Sequence, residues 1–133
     1  MGTVLAIDYG SVRVGLAVTD VDQKFALALK TIPAEPRNEC FEALRRVTND
    51  ERVERILLGL PLTLDGQEGP QAGLVRSFGN ELTNNLGLPL EFVDERFSTK
   101  SSAMAARMKG MKSPDAEAAR LLLETWIERS SNR

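Results

Sequence analysis

Three consecutive strand-like segments open this chain, and they constrain its fold more than any other feature of the sequence. Val4–Ile7 is a short, continuous apolar run of the kind found in strands that are buried on both faces. A turn at residues 9–11 separates it from a second apolar run, Val14–Val18. Residues 24–32 alternate well enough for a third strand, which Pro33 closes. Because no helix lies between them, the three segments predict an antiparallel meander.

The rest of the chain alternates between helix and strand patterns. Phe41, Leu44, Val47 and Glu51 recur at helical spacing, and Pro70 fits the first turn of a second helix. The predicted helices cover about 38–51, 70–86, 98–108 and 114–129. The last helix has Ser113 as its predicted N-cap and Trp126 and Ile127 on its predicted buried face. The predicted strands that alternate with these helices cover 56–58 and 90–93. The sequence therefore predicts an α/β fold with a mixed five-stranded sheet, the meander plus two parallel strands, flanked by helices in a single domain over residues 1–133.

The residue types exclude several kinds of chemistry. The chain has no His and one Cys, which excludes Ser-His-Asp and Cys-His sites, an internal disulfide and a thiolate zinc cage. A formal net charge of −2 argues against a strongly basic nucleic-acid coat, although Lys and Arg outnumber the acids from Thr99 onward. No apolar stretch is long enough to cross a bilayer and no signal peptide is recognised. We therefore expect a cytoplasmic protein without a membrane partner.

Three acids lie where predicted strands end or a helix begins: Asp8, Glu95 and Asp115. Ligands gather at such strand ends in α/β sheets, and carboxylates in a chain without His suit a hard cation such as Mg²⁺ or Mn²⁺. Each acid also has a structural alternative. Asp8 could cap the following turn, Asp115 could simply complement the helix dipole, and Glu95 could pair with Arg96 or Lys100.

Four blocks of the sequence resemble the YqgF/RuvX family. They are VLAIDYGSVRVGLAVTD at 4–20, GLPLTLDGQEGPQA at 59–72, DERFSTKSSA at 94–103 and DAEAARLLL at 115–123. Members of this family are bacterial proteins with an RNase H-like fold. They are regarded as Holliday junction resolvases and as nucleases that mature the 5′ end of small-subunit rRNA precursors. The resemblance covers about residues 3–128 and implies a nuclease that acts on pre-16S rRNA, with branched-DNA resolution as the alternative.

The resemblance also implies which residues act. The family's acids fall on Asp8, Glu95 and Asp115, which would bind Mg²⁺ or Mn²⁺, two ions in all, for phosphodiester hydrolysis. The basic residues expected to contact substrate phosphates are Arg13, Arg96, Lys100, Lys109 and Lys112, and the loop positions that the family pattern singles out are Gly10, Gly15, Gly59, Pro61, Gly66 and Gly69. The loop that holds Gly66 and Gly69 could be flexible, or it could present backbone amides to a phosphate.

Two other classes of protein are alternatives. The segment 8–11 (DYGS) before a hairpin resembles the first phosphate loop of the actin-like ATPases, but these need a second such domain, for which 133 residues are too few. The second alternative is a catalytically silent RNA-binding or assembly factor, which the low net charge and the 5% aromatic content favour. No self-complementary surface can be recognised in the sequence, so a monomer and a homodimer both stay open.

Overall fold

The computed structural model describes residues 2–95 and 114–131, which contain five strands and three helices. The elements are β1 Thr3–Tyr9, β2 Arg13–Thr19, β3 Ala26–Pro33, α1 Arg37–Asp50, β4 Val53–Leu60, α2 Pro70–Leu86, β5 Leu90–Asp94 and α3 Pro114–Ser131. The predicted helix over 98–108 and the predicted N-cap Ser113 lie outside the described residues.

The five strands form one mixed sheet in the order β3-β2-β1-β4-β5. β1 pairs antiparallel with β2, and β2 pairs antiparallel with β3, as the predicted meander requires. β4 and β5 continue the sheet parallel to β1, and α2 provides the crossover between them. The predicted α/β fold with a mixed five-stranded sheet is therefore confirmed.

β1 lies at the centre of the sheet and is buried on both faces up to Ile7, as its continuous apolar run predicts. Leu5 and Ile7 belong to a core formed with α1 and α2, whereas Val4 and Ala6 belong to a second core formed with α3. The two cores share one sheet. Packing on β1 therefore fixes where α3 stands relative to the other helices.

Three predicted details differ in the structure. The first helix ends at Asp50, so that Glu51 is its C-cap and not a member of the apolar face. β3 includes Pro33, which is tolerated because β3 is an edge strand with one side unpaired. Trp126 and Ile127 are only partly buried, since they pack at the margin of the second core. Within the described ranges, no helix is both long and apolar enough to span a membrane.

Candidate active site

Asp8 lies near the end of β1, at the edge of the sheet where the parallel strands β1, β4 and β5 have their carboxyl ends. Its cross-strand partner on β2 is Gly15. On the other side, Ile7 is in register with Leu58 of β4, so Gly59 stands level with Asp8 one position further along. Residues without a side chain therefore flank Asp8 on both neighbouring strands.

Gly15 allows the last helix to approach the sheet. A Cβ added at Gly15 would lie 1.9 Å from the carbonyl oxygen of Asp115 and 2.7 Å from the backbone nitrogen of Ala116. The first turn of α3 therefore rests directly on β2, and the apolar contacts of Leu122 and Leu123 with the sheet hold it there. This packing brings Asp115 to the same edge as Asp8.

The absence of a side chain at Gly59 leaves room for the side chain of Glu95. Glu95 follows β5 directly, and its side chain passes over β4. A Cβ added at Gly59 would lie 2.5 Å from Glu95 Oε1 and 2.8 Å from Leu122 Cδ1. The three acids predicted from the sequence, Asp8, Glu95 and Asp115, thus come from β1, the end of β5 and the start of α3 and lie together.

The environment of the Asp8 carboxyl group, which includes Glu95 and Asp115, strongly raises its pKa. Its pKa rises from the ordinary 3.8 to about 9, first because burial removes water from the charged form. A side-chain hydrogen bond with Glu95 and the negative charges of Glu95 and Asp115 raise the pKa further. A proton on Asp8 relieves this repulsion at neutral pH, and a bound cation would relieve the same repulsion.

Asp115 has a second partner, Arg13 at the start of β2. Arg13 Nε donates a hydrogen bond to Asp115 Oδ2 at 2.9 Å, although the Arg13 side chain is 62% exposed. In residues 2–95 and 114–131, no three acidic or cysteine side chains are arranged so that together they could hold a metal ion as they stand. The chemistry of the donor set nevertheless fits a hard divalent cation, because the three side chains offer carboxylate oxygens and the negative charges of Glu95 and Asp115 act on Asp8. To bind the ion, the Asp115 carboxylate would have to give up its hydrogen bond with the Arg13 guanidinium.

The hairpin turn after β1 does not depend on Asp8. The backbone N–H of Gly10 donates to the carbonyl oxygen of Arg13 at 3.0 Å and closes the turn. A Cβ added at Gly10 would lie 2.8 Å from that oxygen, so the turn requires a glycine. Asp8 interacts with Glu95 and Asp115 instead. Asp115 does lie in the first turn of α3, where the helix dipole favours an acid, in addition to its ion pair.

The loop from Pro61 to Gly69 is more ordered than its glycines suggest. The N–H of Thr63 donates to the Gln67 carbonyl at 2.9 Å, and the N–H of Gln67 donates to Thr63 Oγ1 at 3.0 Å. Gly66 has a φ of 85°, which favours glycine, and its N–H donates to the Thr63 carbonyl. Gly69 is the N-cap of α2. The amides of Gly66 and Gln67 are therefore engaged within the loop and are not offered to a phosphate.

A cluster of side chains beside the end of β1 was not predicted from the sequence. Tyr9 stacks on Phe78 with ring centroids 4.3 Å apart. The Arg37 guanidinium lies 5.5 Å from the Tyr9 centroid and 5.3 Å from the Phe78 centroid, and it donates a hydrogen bond to the Tyr9 hydroxyl at 3.2 Å. This cluster anchors the strand end that carries Asp8. The available signal was that the chain's only tyrosine adjoins the acid.

Several predicted contacts involve residues outside the described part of the chain. These are the phosphate contacts of Arg96, Lys100, Lys109 and Lys112, and the alternative pairing of Glu95 with Arg96 or Lys100. They stay predictions.

The sheet order and the position of α3 define an RNase H-like fold. Two solved structures share this fold: Thermus thermophilus RuvC, and T. thermophilus RuvC in complex with a Holliday junction substrate. Each gives a TM-score of 0.62. The free protein is 16% identical and the complex 15%, covering 97% and 98% of this chain and 96% of the RuvC chain in both cases.

Sequence comparison identifies the family. The family model described as "RuvX: Holliday junction resolvase" matches residues 2–129. Relatives named "Putative pre-16S rRNA nuclease" include one from Maridesulfovibrio salexigens, 38% identical over 96% of this chain and 98% of the relative. Another, from Cupriavidus necator, is 36% identical over 96% of this chain and 89% of the relative. The chain belongs to the RuvX family, which confirms the resemblance predicted from the four sequence blocks.

Proposed function

We propose that this chain is a metal-dependent nuclease that hydrolyses phosphodiester bonds and processes the 5′ end of pre-16S rRNA. The names of the relatives and the family description support a hydrolase of phosphodiester bonds. The observation that carries the proposal is the meeting of Asp8, Glu95 and Asp115, with the pKa of Asp8 raised to about 9. Strongly perturbed carboxyl groups of this kind concentrate at functional sites.

Asp8, Glu95 and Asp115 would hold Mg²⁺ or Mn²⁺, the cations that prefer carboxylate oxygens. Asp8 interacts with both of the other acids, so it would share in holding the metal with each of them. Such ions lower the pKa of an attacking water and stabilise the leaving oxygen. The chain itself positions the acids through Gly15 and Gly59, as described above.

Arg13 has a role beside the carboxylates. It balances the charge of Asp115 through an exposed ion pair. Its guanidinium would bind a backbone phosphate of the substrate once Asp115 binds a cation. The partner we propose is therefore nucleic acid. We also propose a cytoplasmic location, as the sequence predicts.

Holliday junction resolution is a second candidate, favoured by the family description and by a fold shared with a junction-cleaving protein. Symmetric cleavage of a junction requires two sites in one dimer, whereas cleavage at an rRNA end requires a single site. A catalytically silent RNA-binding factor agrees less well with the structure, because the carboxylate cluster is electrostatically costly and binds no RNA phosphate by itself.

Cleavage assays separate these candidates. A labelled RNA spanning the 5′ end of pre-16S rRNA and a labelled four-way DNA junction are each incubated with the protein in Mg²⁺, Mn²⁺ or EDTA. We expect metal-dependent cleavage of the RNA that Asp8→Asn abolishes and that the exposed control Asp22→Asn retains. Cleavage of the junction alone would favour the resolvase. Binding of RNA without cleavage in either metal would contradict the nuclease proposal.

A further inference from the structure

The edge strand β3 and the turn before it expose apolar side chains at the end of the sheet away from Asp8. Val21, Phe25 and Leu27 are 62%, 67% and 59% exposed. They are three of the six large apolar residues that the described part of the chain exposes. Exposed apolar residues that stand close together, unlike single ones, mark a place where another molecule binds.

Only part of this edge is protected against pairing with a further strand. The pairing between β2 and β3 shifts by one residue, so Leu29 faces no residue of β2. Such a bulge, together with Lys30 and Pro33, blocks pairing along the second half of β3. Residues 24–28, between the turn and the bulge, contain no proline and keep a regular register. This segment is therefore an open edge.

The backbone groups of Ala26 and Ala28 point outward from this segment. The N–H of Phe25 donates to Asp20 Oδ1 at 2.8 Å, so it points toward the end of β2. Successive N–H groups along a strand point in opposite directions, so those of Ala26 and Ala28 point away from the sheet. An antiparallel strand beside β3 would bind these groups.

The segment 24–28 is complementary to itself. A two-fold axis through Ala26, its middle residue, is the register that pairs the whole segment of one copy with that of another. In this register Phe25 of each copy lies opposite Leu27 of the other, so that four exposed apolar side chains cover one another. The two-fold symmetry gives both copies the same contacts.

The charges beside the edge also suit a second copy. In the same register Lys24 of one copy lies opposite Ala28 of the other, on the face of the sheet that α3 covers. A groove of about 490 Å³ runs between this edge and α3, and Arg120, Glu124 and Glu128 border it. Arg120 is paired with Glu124, so Glu128 is the acid that Lys24 of the second copy would meet.

We propose that two copies of this chain associate through residues 24–28, which pair antiparallel and join two five-stranded sheets into one. The association does not depend on the proposed nuclease function. A ladder of this length is small for a stable interface, so we expect a dissociation constant on the order of 10–100 μM.

The paired copies would hold their acids far apart. Arg13, which binds Asp115, pairs across the sheet with Pro33 at the end of β3, so the acids lie at that end. Two antiparallel β3 strands point these ends in opposite directions. One dimer therefore cannot place both sites on the crossover of a four-way junction, whereas each site can cleave an RNA end separately.

Cysteine cross-linking tests the register. Ala26→Cys places two thiols opposite each other across the axis, at a spacing that a disulfide can bridge. We expect this variant to form a cross-linked dimer under mild oxidation. Ala28→Cys should form roughly tenfold less, because it lies opposite Lys24 and its own counterpart is out of reach. The parent is the control, since its one cysteine, Cys40, is buried.

Analytical ultracentrifugation tests the apolar contacts in the reduced protein, over about 1–500 μM. We expect the parent to show a monomer–dimer equilibrium. Phe25→Lys should raise the dissociation constant roughly tenfold or more, because Phe25 meets Leu27 of the second copy. Its exposure in the single chain means that the fold does not need it. Leu74→Lys is the control, at a leucine of α2 that is 56% exposed, and should match the parent.

Several results would overturn the interface: a parent that stays monomeric throughout, a Phe25→Lys variant that dimerises like the parent, equal cross-linking at positions 26 and 28, or assemblies larger than a dimer. Symmetric junction cleavage by the cross-linked Ala26→Cys dimer would also contradict it, because the two sites would then have to face one junction. If the dimer forms as expected but neither it nor the reduced protein cleaves RNA, the interface stands and the nuclease proposal fails.

Discussion

Asp8 behaves as a proton-binding residue in the arrangement described above. Its pKa of about 9 leaves it protonated at neutral pH, where it shares a hydrogen bond with Glu95. A divalent cation would have to displace that proton, so proton and metal compete for the same position. The competition makes the behaviour of Asp8 measurable in solution through both pH and metal.

The stability of the metal-free protein should depend on pH through Asp8. The folded-state pKa lies above the ordinary 3.8, so the folded state holds a proton that the unfolded state releases. The stabilising effect is complete below the unfolded pKa and is lost as the pH rises toward 9, with a slope of at most about 1.4 kcal/mol per pH unit. Asp8→Asn should remove this slope, so that the variant gains stability relative to the parent between pH 5 and pH 9. Urea unfolding in EDTA at a series of pH values measures the free energy of unfolding of both proteins.

A matched control is Asp22→Asn, which should run parallel to the parent across the same pH range. Coinciding slopes for Asp8→Asn and the parent would show that Asp8 ionises normally. A destabilised Asp8→Asn at pH 8 would favour a purely structural hydrogen-bonding role for the carboxyl group.

Arg13 should weaken metal binding, because its guanidinium donates a hydrogen bond to the Asp115 carboxylate that would bind the ion. Replacing it in Arg13→Gln frees the carboxylate, and exposed pairs of this kind contribute about 0.2–1 kcal/mol. We therefore expect Mg²⁺ to bind roughly 1.4- to fivefold more tightly to Arg13→Gln, as measured by isothermal titration calorimetry. Arg55→Gln is the control, since Arg55 pairs with Glu91 at 3.3 Å on a different part of the sheet. Unchanged or weaker Mg²⁺ binding by Arg13→Gln would refute the competition.

The strands and helices reach their positions around the site because two glycines leave room. A Cβ added at Gly15 would meet the backbone of α3, whereas the nearest atoms to a Cβ added at Gly59 belong to the side chains of Glu95 and Leu122. Backbone cannot move aside, but a side chain can rotate at small cost. The two positions should therefore respond differently to the same added methyl group.

Gly15→Ala should lower the free energy of unfolding by about 1–3 kcal/mol, the usual cost of overpacking, and should abolish cleavage. Gly59→Ala should change stability much less but should also abolish cleavage, because the carboxylate of Glu95 must move. Gly73→Ala is the control: nothing lies within 4 Å of its added Cβ in α2, so it should gain up to about 1 kcal/mol from helix propensity. Thermal unfolding and the cleavage assay report both quantities. An active Gly59→Ala would remove Glu95 from the mechanism.

Local patterns predicted the elements well, because each depends on neighbouring residues. The apolar run Val4–Ile7 and the helical spacing of Phe41, Leu44 and Val47 report burial that the structure confirms. The end of that helix was predicted less well. Glu51 continues the spacing, but the chain turns there, and Arg52 adopts a φ of 54° that no spacing rule signals.

Contacts between distant parts of the chain could not be predicted from the pattern. Arg13 and Asp115 are 102 positions apart, and the sequence suggested a phosphate as the partner of Arg13. The family pattern singled out Gly15 and Gly59, yet only the approach of α3 and of Glu95 explains why side chains are absent there. The resemblance thus identified the residues, and the packing supplied the physical reasons.

Metal binding should stabilise the fold as one unit, because the three acids lie on elements from both cores. A ligand that binds only the folded state at 100 times its dissociation constant adds about 2.7 kcal/mol to the free energy of unfolding. Mg²⁺ should therefore raise the melting temperature of the parent and raise that of Asp8→Asn much less. Differential scanning fluorimetry across Mg²⁺ concentrations measures both. Equal shifts in the two proteins would show that Mg²⁺ binds elsewhere.

The packing of α3 onto β2 also sets a time at which the protein can begin to act. A ribosome adds Asp8 early and adds Asp115 102 positions after Arg13, so most of the sheet is made before the last acid exists. The site is incomplete until α3 leaves the exit tunnel and settles against Gly15. A nascent chain still held on the ribosome thus lacks one of the three acids that the proposed nuclease requires.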